Sequence, residues 1–215
     1  SEGAYVATLP GVVTWVHFPP QGGSITKPVP WDLTCQDRHD LWVAQLADAP
    51  SPLDAGGTVA LRLNPALTVL GMTIPGIGHV REGPAANAAP EISDLPGYTR
   101  TGFIDAVIAA IRAYTTRFTA VPHLYLPFFP VTDTVTSPPL WQALHDQIRI
   151  NFGNRISYFH ENLSTKRDTE TGPIIGSPAP TREPLATAFA AGQGVSWQML
   201  QAWVSTADPE KTQFT

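Results

Sequence analysis

The chain has a single cysteine, Cys35, in 215 residues, which excludes an internal disulfide framework and a thiolate metal cluster. Charge is scarce as well. Asp, Glu, Lys and Arg make up 14% of the residues, against about a quarter in an average globular protein, so the surface must be largely neutral and polar. Only 13 residues are Lys or Arg, the formal net charge is −5, and no basic run occurs. A surface that tracks nucleic-acid phosphates or an anionic membrane needs clustered cations, so neither partner is expected. No apolar run reaches the roughly 18 residues needed to span a bilayer. The sequence also has no G-x-x-x-x-G-K-[ST] or G-x-G-x-x-G turn for a nucleotide phosphate and no G-x-S-x-G serine elbow. No cofactor is expected.

What is present is an ordinary 43% of hydrophobic residues together with 22 prolines and 17 glycines. A chain of this length buries one substantial core, and no linker or repeat divides it, so residues 1–215 read as a single α/β domain. The start Ser1-Glu2-Gly3 lacks the basic-then-apolar order of a signal peptide. Abundant proline and little lysine fit an extracellular or surface protein with long, stiff loops.

Hydrophobic periodicity predicts an alternating series of elements. Strands are expected over 12–18 (V-V-T-W-V-H-F), 58–63 (T-V-A-L-R-L), 121–129 (V-P-H-L-Y-L-P-F-F), 155–159 and 194–200 (G-V-S-W-Q-M-L). Helices are expected over 34–47, capped by Thr34, over 99–118, from Ser137-Pro138 to Gly153, and over 184–191. The segment 64–97 reads as a long site-lining loop, with L-T-V-L-G-M-T-I as an extra extended piece or a lid. Such alternation predicts a parallel sheet with right-handed crossovers. It fits a parallel β/α barrel, compact or incomplete, or alternatively an open doubly wound sheet of five strands. In either, ligands bind beyond the carboxyl ends of the strands.

The residues that follow the predicted strands are His17, Trp31 and Asp32; Arg62 and Asn64; His79, Arg81 and Glu82; Thr132 and Asp133; His160, Glu161 and Asn162; and Gln198 and Trp203, with Trp197 just before. Neutral hydrogen-bonding groups, aromatic rings and a few acids suit a polyhydroxylated ligand. Sugars offer hydroxyls to polar side chains and C–H faces to rings. Carbohydrate is therefore the expected partner. His17, Trp31, Arg62, Asn64, His160, Asn162, Trp197, Gln198 and Trp203 are the candidate sugar-binding residues. Plainer roles exist for several: Glu161 as a solvated loop acid or capping partner, His17 and His160 as structural histidines, and Trp42 and Trp141 as core. Asp37, His39 and Asp40 carry metal-ligating atoms, but only Asp37 and Asp40 share a helix face, and no metal is expected there.

The order V-T-W-V-H-F, T-V-A-L-R-L-N, Y-T-R-T-G-F-I-D-A-V-I-A-A-I-R, F-G-N-R-I-S-Y-F-H-E-N-L-S and G-V-S-W-Q-M-L-Q-A-W resembles the β/α-barrel glycoside hydrolases in layout along most of the chain. The resemblance implies hydrolysis of glycosidic bonds by two carboxylates at strand ends. It makes Glu161 one of them, as nucleophile or acid/base. The strand at His123 departs from the family: Val131-Thr132-Asp133 stands where Asn-Glu is often found, so Asp133 is the nearest second carboxylate, ahead of Glu82 and Asp32. The competing expectation is a noncatalytic carbohydrate-binding or structural assembly protein on the same scaffold.

Overall fold

The computed structural model describes residues 5–17, 24–76, 91–127, 133–153, 155–163 and 197–202. Six strands and three helices are formed there: β1 Thr14–His17, β2 Ile25–Pro28, α1 Leu33–Asp48, β3 Val69–Gly71, α2 Arg100–Arg117, β4 His123–Pro127, α3 Leu140–Phe152, β5 Ile156–Leu163 and β6 Trp197–Ala202. Short 3-10 turns lie at Leu61–Leu63 and Ile92–Asp94. The expected helix over 184–191 lies outside the described residues.

The centre of the molecule is a parallel sheet ordered β3-β4-β5-β6. Helix α2 connects β3 to β4, and α3 connects β4 to β5. Because α2 packs between α1 and α3, these helices form one layer on the sheet. Phe103, Val107, Ile111 and Tyr114 of α2 meet Leu124 and Leu126 of β4 and Leu140, Leu144 and Ile148 of α3 in one buried cluster. The alternation explains the strand: Leu124 and Leu126 share one face, and Tyr125, also buried, points to the other. Arg155, at the foot of β5, donates to the Phe118 carbonyl that ends α2, placing a cation at the negative end of that helix.

This architecture corrects the expected fold class. Neither a parallel β/α barrel nor a five-stranded doubly wound sheet forms among the described residues. The segment 12–18 does not join the parallel sheet, because its nearest extended neighbour is β2. The two pair antiparallel with Thr14 opposite Pro28 and His17 opposite Ile25, a local hairpin that costs little chain entropy to close. The segment 58–63 is not a strand either. Asp54 accepts hydrogen bonds from the backbone of Gly56, Thr58 and Val59 and curls that loop, and the chain turns into a 3-10 segment before Asn64-Pro65. The strand that enters the sheet instead is β3, within the stretch L-T-V-L-G-M-T-I expected to be an extra extended piece or a lid. The remaining sheet follows chain order with no reversal, and no described strand pairs with the outer edge of β3 or β6 to close it.

Helix boundaries sharpen in the same way. Asp32, not Thr34, caps α1, accepting from Cys35 N at 3.0 Å through one oxygen and from Val13 N at 3.0 Å through the other. The same carboxylate thus ties the hairpin to the helix. Thr99 caps α2 through Gly102 N, and Gly153 ends α3 with φ +58°, close to the glycine stop expected. Helix α3 starts at Leu140, after Pro139 and without a side-chain cap. Ser137 therefore does not serve as its cap.

Candidate functional site

In a parallel sheet the helices run back against the strands, so the first turn of α2 and the chain following β4 lie at the carboxyl ends of the strands. There Asp133 meets the start of α2. Its Oδ2 accepts from the Tyr98 hydroxyl at 2.7 Å, and its Oδ1 accepts from Arg100 Nη1 at 3.0 Å and from Val135 N at 3.0 Å. The Asp133 side chain is 2% exposed and that of Arg100 is 21% exposed. Arg100 also donates to the carbonyls of Val135 and Pro138. Burial, followed by the hydrogen bond and the negative charge of Asp133, raises the Tyr98 hydroxyl well above its ordinary range.

Trp31 braces this cluster. Its indole donates to the Pro96 carbonyl at 3.0 Å, and its ring meets Tyr98 edge to face with centroids 5.6 Å apart. The second expected carboxylate is therefore an internal anchor. It holds the 133–138 segment to α2, and both oxygens are committed. Tyr98 and Arg100 were not among the candidates read from the sequence. The only signal for them was an arginine and a tyrosine flanking the capping Thr99.

The other expected acid, Glu161, lies within β5 and not in a loop after it, since the strand continues to Leu163. Opposite the three-residue step from His160 to Leu163, β6 advances only two, from Leu200 to Ala202. One extra residue is thus accommodated in β5 at Glu161-Asn162. A second irregularity lies one step earlier: Tyr158 pairs with Trp197 and Phe159 with Met199, which places the extra residue at Gln198 of β6. Bulges of this kind redirect side chains and recur next to ligand sites.

The structure brings few of the remaining candidates to this end. Trp197 and Gln198 open β6, and Trp197 is level with Tyr158, about 10 Å before Glu161 at strand spacing. Arg62 forms a surface ion pair with Asp48 at 2.7 Å. Asn64 is buried in the same loop; its amide donates to Ser51 Oγ at 2.9 Å and its carbonyl oxygen accepts from Ala66 N at 2.9 Å. Both are structural. His17 ends the separate hairpin, and Asp32 is the α1 cap. His79, Arg81, Glu82, Thr132 and Trp203 lie outside the described residues.

No family model, no curated protein and no solved structure matches this chain. The functional reading thus rests on the geometry of this molecule. Among the described residues no three His, Cys, Asp or Glu side chains come together as a metal site, and no helix is long and apolar enough to cross a membrane.

Away from the strand ends, α1 and α2 flank an open pocket of about 400 Å³. Ala106, Ala109, Ala110 and Ala113 of α2 line it with Pro75, and Asp37, His39, Asp40, Arg112 and Arg117 add polar groups. Arg117 grips Asp40 across the two helices with Nη1 and Nη2 at 2.8 and 2.7 Å. His39 is 3% exposed, and its ring lies 6.0 Å from that of Trp42 and 5.7 Å from that of Tyr114. Burial lowers its pKa to about 4 against a weaker opposing effect of Asp40.

Proposed function

We propose that this chain binds carbohydrate at the carboxyl end of its parallel sheet and does not hydrolyse it. The observation that carries the reading is the state of Asp133. A glycosidase of the two-carboxylate type needs a second acid able to reach the scissile bond or the water that attacks it. The Asp133 side chain is 2% exposed, and its oxygens already accept from Tyr98, Arg100 and Val135 N.

The binding half of the reading is supported by the position of His160, Glu161 and Asn162 near the carboxyl end of β5, at a bulge. Carboxylate and amide residue types such as Glu161 and Asn162 supply the acceptors and donors that sugar hydroxyls use. Removing the charge of Glu161 removes a charge-assisted hydrogen bond, worth about 1.5–3 kcal/mol. Calorimetric titration of soluble oligosaccharides into wild type and Glu161→Gln is the test. The reading expects affinity to fall about tenfold or more in the variant. Equal affinities, or no sugar bound by the folded wild type, would exclude it.

A further inference from the structure

The loop that leads from β4 into α3 is pinned at several points by one buried ion pair. Asp133, whose side chain is 2% exposed, accepts from Val135 N and so holds the loop's own backbone. Arg100, in the first turn of α2, pairs with Asp133 and donates to the carbonyls of Val135 and Pro138. Tyr98 occupies the other carboxylate oxygen. Taking charges out of water largely cancels what their attraction contributes, so a buried pair fixes a geometry more than it adds stability. What it fixes here is a surface. Residues 134–138 are all exposed, and the hydroxyls of Thr134, Thr136 and Ser137 make no hydrogen bond among the described residues. The loop leaves the sheet beside the end of β5. The β4–β5 ladder runs to Pro127 opposite Phe159, and paired strands lie about 4.8 Å apart. Asp133 follows Pro127 by six residues, a reach of at most about 20 Å.

We propose that residues 134–138 form an outer subsite of the strand-end carbohydrate site, with Arg100 as its positioning residue, and that the ligand is an oligosaccharide long enough to span the ends of β4 and β5. The inference rests on the carbohydrate reading. Hydroxyls of Thr134, Thr136 and Ser137 donate to and accept from those of a sugar. Val135, 45% exposed, adds an apolar contact. Because Arg100 and Asp133 order the loop before the sugar arrives, binding has less ordering to offset. A disaccharide held at β5 stops short of the loop, whereas a longer chain continues onto it.

The test is calorimetric titration of the whole chain with disaccharides and hexasaccharides of the cello, xylo, manno and chito series. In wild type the hexasaccharide of a series that binds should be about tenfold tighter than its disaccharide, or more. Arg100→Lys keeps a charge beside Asp133 but loses the fork that also reaches two carbonyls. It should abolish the gain with length, leave disaccharide affinity within about twofold, and speed amide exchange at Val135. Thr134→Ala, Thr136→Ala and Ser137→Ala combined should abolish the gain with exchange unchanged. Asp54→Ala, which undoes the turn in the loop after α1, should keep it. The proposal is overturned if the gain persists in Arg100→Lys or in the combined variant, if Asp54→Ala also loses it, or if wild type binds both lengths equally. With equal lengths, disaccharide binding that is lost in Glu161→Gln would still leave the carbohydrate reading standing. Binding of neither length by the folded wild type would end both.

Discussion

Asp133 makes a testable claim at the scale of one residue. If its carboxylate is an anchor, Asp133→Ala leaves the Arg100 guanidinium and the Tyr98 hydroxyl without their shared acceptor. Losing one member of a buried pair costs about 3–5 kcal/mol, and the part-exposed Arg100 puts the expected loss near 3 kcal/mol. Tyr98→Phe should cost about 1 kcal/mol. In a double-mutant cycle the two should be non-additive, because both remove the same hydrogen bond. Urea unfolding followed by circular dichroism measures each value; a loss under 0.5 kcal/mol for Asp133→Ala, the range of about ±0.5 kcal/mol seen for ordinary surface changes, would contradict the anchor. His39 makes a second claim. Its folded pKa of about 4 lies below the ordinary 6.5, so the unfolded chain takes up a proton first. The stability held by its neutral form is complete above about pH 6.5 and is lost as the pH falls toward 4. The amount is on the order of 3 kcal/mol. His145, whose pKa burial also lowers, acts in the same direction. Urea midpoints between pH 7 and 4.5 should therefore fall more steeply in wild type than in His39→Phe, and identical slopes would contradict this account.

At the scale of elements, the α1 cap separates two explanations of one helix start. Asp32→Ala removes the acceptor for both Cys35 N and Val13 N and should cost about 1–2 kcal/mol, whereas Thr34→Ala should change stability by less than about 0.5 kcal/mol. Thermal unfolding of the two variants decides between them, and the reverse order would restore the cap expected from the sequence. Periodicity made α2 legible, since Phe103, Val107, Ile111 and Tyr114 repeat on one face and are all buried. It also located β4, β5 and β6 to within a few residues. It left β3 open between an extended piece and a lid, because Gly71 and Pro75 resemble loop and the extended form comes from the ladder with β4, an interaction distant in sequence. The same limit explains 58–63, whose strand-like alternation is overridden by the Asp54 turn. In the site, the apolar start of β5 was legible but its end was not, because the ladder with β6 carries His160, Glu161 and Asn162 on within the strand as far as Leu163. The engagement of Asp133 was not, because Tyr98 and Arg100 precede it by more than 30 residues.

At the scale of the whole molecule, α1 to α3 form a single layer beside an open parallel sheet. The hairpin is joined to the rest through Trp15, which is buried and donates to the Gly76 carbonyl at 3.1 Å. Gly76 itself has φ +80° and would carry a Cβ directly against the Pro28 carbonyl. Gly76→Ala should therefore cost at least about 1–3 kcal/mol and loosen β2, detectable as faster amide exchange at Ile25–Pro28. The strand-end face carries the central claim, that sugar is held there and left intact. The direct measurement is a time course of reducing ends and aryl leaving groups, released from a broad panel of polysaccharides and aryl glycosides by the wild-type chain. The account predicts no release above the protein-free rate from the sugars that calorimetry shows to bind. Sustained release by wild type that is lost in Glu161→Gln would contradict it and make Glu161 catalytic.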